Sequence, residues 1–137
     1  MTLFICTGNY YRSRFAEIYF NFLCNKDKCI AYSKGLDISN PDNIGEISPF
    51  TIKYLDDIGV ELPMTIKPPS LLNERDFNLA NKIIALNRNE HYQAIMNNFP
   101  NEIHKIEFWE ISDLYEESYT TALTQLKSKV ENLVENL

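Results

Sequence analysis

Thr2-Leu3-Phe4-Ile5-Cys6-Thr7-Gly8-Asn9-Tyr10-Tyr11-Arg12-Ser13-Arg14-Phe15-Ala16-Glu17 decides how the rest of the chain is read. An apolar run of strand length enters a turn-forming loop that opens on Cys6 and closes on Arg12-Ser13, and a segment with helical periodicity follows. Strand, loop, helix is the order in which a doubly wound α/β domain presents backbone N–H groups at the carboxyl end of a strand. The residues from Thr7 to Tyr11 suffice to wrap those groups around a tetrahedral anion, and Gly8 and Asn9 are the types that tolerate left-handed backbone in such a cradle. The reading is an oxyanion held by Thr7, Gly8, Asn9, Tyr10, Tyr11, Arg12 and Ser13, with Cys6 beneath it.

A nucleophilic cysteine acts as the thiolate, which a helix N-terminus, converging N–H dipoles and a fixed cation all favour. Arg12 falls where the loop becomes the helix. Its planar fork can hold two phosphate oxygens, where lysine would supply a point charge, and it would stabilise transition-state charge. The Ser13 hydroxyl is placed to donate to the sulfur.

Working outward, Phe15, Ala16, Ile18, Tyr19, Phe22 and Leu23 give Arg12 to Leu23 one apolar helical face. Lys26-Asp27-Lys28 is a polar break, and Cys29 to Ser33 reads as a second strand ending at Lys34-Gly35. Asp37 to Gly45 has turn composition. Ser48-Pro49 reads as an N-cap followed by proline at the first helical position, and Gly59 stops that helix. Prolines exclude a regular element from Glu61 to Ser70, and a short helix is expected around Glu74-Arg75-Asp76. Lys82 to Leu86 is a continuous apolar run, as in a strand buried on both faces. A helix over Asn89 to Asn98, a fourth strand over Ile103 to Trp109 and a long amphipathic helix from Ser118 complete the order. Strand alternating with helix predicts a doubly wound, four-stranded parallel sheet with helices on both faces, in one domain over residues 1–137. Trp109 and the terminal leucine stripe are read as core.

The 137 residues suit one domain with a real core, and 45% apolar content is ordinary for a globular chain. A net charge of -6 works against broad binding of nucleic acid or an anionic membrane, which need a basic footprint. No run has the length or flanks of a membrane span or signal peptide, so a cytoplasmic protein without membrane partners is expected. Three cysteines, Cys6, Cys24 and Cys29, form no disulfide-scaffold or Cys-x-x-Cys pattern. They are expected reduced, with Cys24 and Cys29 as packing residues. His91 and His104 carry no pattern that argues for a Cys–His dyad and are expected at the surface.

Cys6-Thr7-Gly8-Asn9-Tyr10-Tyr11-Arg12-Ser13 with Phe15-Ala16-Glu17 behind it resembles the low-molecular-weight protein tyrosine phosphatase family. Ser33-Lys34-Gly35 is similar to that family's Ser-Ala-Gly after the second strand, and Trp109-Glu110-Ile111-Ser112-Asp113 to the segment that carries its general acid. The resemblance implies a phosphatase that needs no metal or cofactor and acts on phosphotyrosine protein or a small aryl phosphate. Cys6 would form a cysteinyl-phosphate, and Asp113 would protonate the leaving group and then activate water. Asn9 would shape the loop, and Ser33 would support it. Tyr10, Tyr11 and Tyr115 could line the cleft. A monomer or weak dimer is expected.

The sequence also departs from the family. Asp113-Leu114 stands for the usual Asp-Pro, and Tyr11 occupies the place of a second loop cysteine whose disulfide protects the nucleophile. Asn81 replaces an aspartate before the third strand. Of Met64-Thr65-Ile66-Lys67-Pro68-Pro69, where relatives carry a histidine and basic residues, only Lys67 is basic. These departures leave room for a non-catalytic phosphate- or phosphotyrosine-binding module. Arsenate reduction on the same loop needs two further late thiols, and no cysteine follows Cys29.

Overall fold

In the computed structural model, which describes residues 1–24 and 29–137, a parallel sheet of four strands has the order β2-β1-β3-β4. Its strands are β1 (Thr2–Cys6), β2 (Ala31–Gly35), β3 (Lys82–Ala85) and β4 (Ile106–Phe108). The helices are α1 (Arg12–Leu23), α2 (Pro49–Asp57), α3 (Glu74–Leu79), α4 (Arg88–Asn98) and α5 (Tyr119–Glu135).

The central strand explains the layering. Alternate residues of a strand point to opposite faces, and all of β1 is buried, so both faces must be covered. Phe4 and Cys6 enter a cluster with Phe15, Tyr19, Leu55, Leu123 and Leu126 from α1, α2 and α5. Leu3 and Ile5 enter a second cluster with Phe77 of α3 and Ile95 of α4. Trp109 is core, 5.9 Å from the Phe4 ring between centroids.

Local chemistry accounts for the helix ends. Ser48 Oγ accepts from Phe50 N with Pro49 at the first helical position, and Gly59 takes the left-handed conformation at φ 78. Asn73 and Asp76 form a reciprocal capping box on α3. Asn87 caps α4, which begins at Arg88 rather than Asn89 and carries Glu90 in its first turn.

Three further expectations change. The second strand runs Ala31–Gly35 rather than Cys29 to Ser33, in register with β1 from Thr2↔Ala31 to Cys6↔Gly35. The fourth is only Ile106–Phe108, because Pro100 opens a 3-10 turn over Pro100–Lys105. Cys24 and Cys29 are disulfide-bonded rather than reduced, because the end of α1 and the approach to β2 bring their Cα atoms to 5.8 Å, within bridging distance. The polar break at Lys26-Asp27-Lys28 lies outside the described residues.

Candidate active site

Cys6 is the last residue of β1, Arg12 the first of α1, and residues 7–11 form the loop between them. The loop carbonyls are tied outward: Thr7 O accepts from Asp37 N at 2.9 Å, Tyr10 O from Ser48 N at 2.9 Å, and Tyr11 O from Thr51 Oγ1 at 2.9 Å. A planar trans peptide points its N–H opposite to its C=O, so tying the carbonyls away turns the N–H groups of the following residues toward the other side. Among the described residues, no N–H of residues 7–11 donates to a protein acceptor. Tyr11, the N-cap of α1, makes no side-chain cap either, so that helix end also keeps its free donors. These are the makings of an anion cradle.

Asn9 shapes this loop. It is fully buried with φ 50, a left-handed conformation that asparagine tolerates better than most residues. Its Nδ2 donates to Ser13 Oγ at 3.0 Å and to Ser33 Oγ at 2.8 Å, while its Oδ1 accepts from Ser70 N at 2.9 Å. Gly8, expected to share the left-handed backbone, does not adopt it; the loop reverses at one residue. Gly35 is needed for space, since a Cβ there would lie 2.8 Å from Thr7 O and 2.9 Å from Asn9 N.

These contacts assign the hydroxyl protons. The Cys6 thiol donates to Ser13 Oγ at 2.9 Å, and because Ser13 Oγ also accepts from Asn9, its own proton is free to turn to the sulfur once Cys6 is a thiolate. Ser33 likewise accepts from Asn9 and donates to Glu17 Oε1. Lys67, the lone basic residue of its segment, lies 3.5 Å from Glu17 Oε1 and donates to Ser33 O at 3.2 Å. The result is one connected network, Lys67–Glu17–Ser33–Asn9–Ser13–Cys6, in which donation runs outward from Asn9 Nδ2 to both serines and converges on Glu17.

Arg12 is 2% exposed. Its Nη1 lies 2.7 Å from Glu90 Oε2 and donates to Ile111 O at 2.9 Å, whereas Nη2 reaches Asp113 Oδ2 only at 3.6 Å. Nε has no partner among the described residues. Burial works against this charge, but Cys6, Glu90 and Asp113 together hold its pKa above the ordinary arginine value. The Nε–Nη2 edge is therefore the open one.

Asp113 sits in the segment after β4. Its Oδ1 accepts from Leu114 N at 2.8 Å, and its carbonyl accepts from Glu116 N and Glu117 N at 3.0 and 3.1 Å. The leucine in place of proline thus supplies an N–H that proline lacks. Upstream, Ile111 N donates to Leu86 O at 2.8 Å, which docks this segment on the end of β3.

The structure also adds residues that sequence reasoning passed over. His91 is fully buried rather than at the surface. Its Nδ1 accepts from Asn87 N at 3.2 Å, and its Nε2 lies 3.1 Å from both Thr7 Oγ1 and Glu90 Oε2. His104 is exposed, as expected. Arg14 is buried and binds Glu46 O at 2.8 Å, anchoring the loop before α2. Neither Glu90 nor His91 carries a local pattern; both act through contacts with residues more than 70 positions away. Among the described residues, no group of three His, Cys, Asp or Glu side chains is placed to hold a metal.

A cleft of about 550 Å³ opens over the loop, bordered by Cys6, Arg12, Asp113 and the three tyrosines Tyr10, Tyr11 and Tyr115. Tyr10 donates to Ile44 O at 2.5 Å, and Tyr11 is almost fully buried, its hydroxyl without a partner among the described residues. Burial raises the Tyr11 pKa despite the opposing Arg12 charge.

The model of the low molecular weight phosphotyrosine protein phosphatases matches residues 1–137. The chain belongs to that family. It is a cysteine-dependent phosphatase, and the cysteinyl-phosphate route is general to the family. Solved structures similar to this phosphatase include Wzb of Vibrio vulnificus in complex with benzylphosphonate, 18% identical with TM-score 0.83, covering 99% of this chain and 97% of that one. The low molecular weight protein tyrosine phosphatase of Streptococcus pyogenes is 17% identical with TM-score 0.85, covering 99% and 91%. The YwlE arginine phosphatase of Geobacillus stearothermophilus is 22% identical with TM-score 0.80, covering 98% and 90%. At these identities the likeness concerns the fold. No curated protein sequence matches this phosphatase significantly.

Proposed function

We propose that in this phosphatase Cys6 is the nucleophile, Arg12 with the N–H groups of residues 7–13 binds the phosphoryl oxygens, and Asp113 is the general acid and base. The observation that carries this reading is the set of unclaimed donors: the N–H groups of residues 7–11 and the Nε of Arg12 surround the end of β1 without protein acceptors among the described residues. A tetrahedral dianion satisfies them together, and developing equatorial charge strengthens each bond.

In the first step the Cys6 thiolate attacks phosphorus, the bond to the leaving oxygen breaks, and Asp113 gives that oxygen its proton. Because Oδ1 already accepts from Leu114 N, the acid proton resides on Oδ2. As the anion engages Nη2, the long Arg12–Asp113 contact of 3.6 Å gives way, freeing Oδ2 for the leaving group. In the second step water attacks the cysteinyl-phosphate, Asp113 takes its proton, and Ser13 O–H stabilises the departing thiolate. The products are orthophosphate and the free enzyme.

Phosphotyrosine in proteins, or a small aryl phosphate, is the substrate we assign. Tyr10, Tyr11 and Tyr115 border the cleft and provide aromatic surface for a ring. The carboxylates of Asp37 and Asp42 border it too and favour a second reading, a cationic leaving group such as the guanidinium of phosphoarginine. A catalytic thiol with Tyr11 beside it in place of a protecting cysteine suits a reducing compartment such as the cytoplasm, against which the Cys24–Cys29 bridge weighs; among the described residues no helix is long and apolar enough to cross a membrane. Turnover of p-nitrophenyl phosphate, a phosphotyrosine peptide and a phosphoarginine peptide by wild type and Cys6→Ser tests the assignment. Cys6→Ser is expected to abolish turnover of all three. Unchanged activity would sink the mechanism, and binding without turnover by wild type would make the protein a reader of phosphate esters.

A further inference from the structure

We propose that the Glu90–His91 pair at the start of α4 is a positioning device that selects which edge of Arg12 faces the phosphoryl group and pins Thr7 of the loop to α4. The inference rests on the phosphatase reading above and concerns residues outside the loop and its acid.

A guanidinium can offer an anion any of its donor edges. Here the choice is made by Nη1, which is held by Glu90 Oε2 at 2.7 Å and by Ile111 O at 2.9 Å. With Nη1 engaged twice, the Nε–Nη2 edge is left for the oxyanion, and Nε is buried without a partner among the described residues. Ile111 O is a weak selector by itself, since it is shared with Asn87 Nδ2 at 3.1 Å. Glu90 is the charged one, and a charge-assisted bond between a guanidinium and a carboxylate is about twice as strong as a neutral one.

Glu90 is in turn held. The Nδ1 of His91 accepts from Asn87 N, so the ring proton resides on Nε2, which faces Glu90 Oε2 and Thr7 Oγ1, each at 3.1 Å. A neutral imidazole can therefore donate to the carboxylate that orients Arg12 while contacting the first residue of the loop. Two consecutive residues of one helical turn thus reach the two halves of the anion site. The asparagine cap that starts α4 at Arg88 makes this possible by putting both in the first turn.

The negative charge of Glu90 opposes an incoming dianion, so a purely electrostatic role and a positioning role predict opposite results. If orientation dominates, Glu90→Ala lowers kcat/KM for p-nitrophenyl phosphate by about 10- to 100-fold, less than the loss of a full oxyanion donor. Binding of vanadate, which resembles the transition state, weakens at least as much, whereas inorganic phosphate, resembling the ground state, changes only about two- to threefold. Glu90→Gln, which keeps an oxygen facing Nη1, recovers most of the loss. Vanadate and phosphate binding by calorimetry give a readout independent of turnover. A wild-type chain without turnover would refute the phosphatase reading and still leave the vanadate-to-phosphate ratio as the test of the pair. An unchanged ratio in Glu90→Ala, with or without a lower melting temperature, would overturn the proposal. So would tighter binding of both anions with higher kcat/KM, which would make Glu90 an electrostatic restraint.

Discussion

Asn9→Ala is the substitution for which the structure supplies the most complete arithmetic. The side chain makes three hydrogen bonds, two buried ones to Ser13 and Ser33 and a half-buried one to Ser70, each worth about 1 kcal/mol net. Alanine must also adopt the left-handed backbone at φ 50, at a cost of about 1 kcal/mol. The total, roughly 3–5 kcal/mol, is a large share of the stability of a single domain. Urea unfolding should show it as a lower midpoint at unchanged slope, and Asn9→Gly, which relieves the backbone component, should recover about 1 kcal/mol. Catalysis should suffer separately. Without Asn9 Nδ2 to accept from, the Ser13 hydroxyl is no longer committed to Cys6 Sγ, and a hydrogen bond to a charged group is worth about 1.5–3 kcal/mol, or roughly 10- to 100-fold in kcat. Asn9→Asp should lower kcat at least as far, because aspartate tolerates the same backbone but turns the Ser13 proton toward itself and adds a negative charge beside the thiolate. An Asn9→Ala protein within about 1 kcal/mol of wild type, or an Asn9→Asp protein with wild-type kcat, would refute the reasoning.

Asp113→Asn should lower kcat by about 100- to 10,000-fold for alkyl or phenyl phosphates and far less for p-nitrophenyl phosphate, whose leaving group needs little protonation; equal losses across leaving groups would exclude the general-acid role. Cys24→Ser, or reduction of the Cys24–Cys29 bridge across its sequence separation of 5, should cost at most about 2 kcal/mol in urea unfolding. Turnover should be unchanged, because the bridge lies at the amino end of the sheet and Cys6 at its carboxyl end; equal stability with and without reductant would contradict the bridge. Acid should weaken the fold in two stages. Burial holds the His91 pKa below its ordinary 6.5, so the unfolded chain takes up that proton first, and stability falls as pH drops below about 6.5. Burial pushes Glu90 up, but the bonds from His91 and Arg12 outweigh it and take its pKa from 4.5 down to about 2. Its contribution is complete above pH 4.5 and is lost toward pH 2; with the side chain 33% exposed, screening reduces it to about 1–2 kcal/mol. Melting temperatures from pH 8 to 3 should show both stages in wild type and a smaller lower stage in Glu90→Gln, the remainder belonging to Asp37 and Glu131, whose carboxyls are also held below their ordinary values by hydrogen bonds; a flat profile would contradict both assignments.

What the amino-acid sequence determined by itself is what depends on near neighbours along the chain. The run from Thr2 to Cys6, the loop to Tyr11 and the helix from Arg12 are local, and so are the Ser48-Pro49 start, the Gly59 stop and the apolar stripe of α5. Hydrophobic period and turn chemistry act over a few residues, so the alternating α/β order and the Cys6–Arg12 loop were legible before any coordinates. The edge of the sheet was less so. Pro100 favoured a tight turn over the first half of an apolar stretch that alone reads as strand, and an edge strand has few neighbours to settle the competition.

Only the tertiary structure decided the rest, because it depends on distance through space. Cys24 and Cys29 have no scaffold spacing, yet a helix end and a strand start bring them together. His91 looks like any polar residue on a helix until α4 packs it beneath Thr7. Lys67 appears as the remnant of a basic segment until it folds onto Glu17 and Ser33. The same holds for Arg12, which could be named from its spacing to Cys6: its Nη1 is held by Glu90 and Ile111, residues from other elements that the sheet brings to one end, and this leaves its Nε–Nη2 edge open.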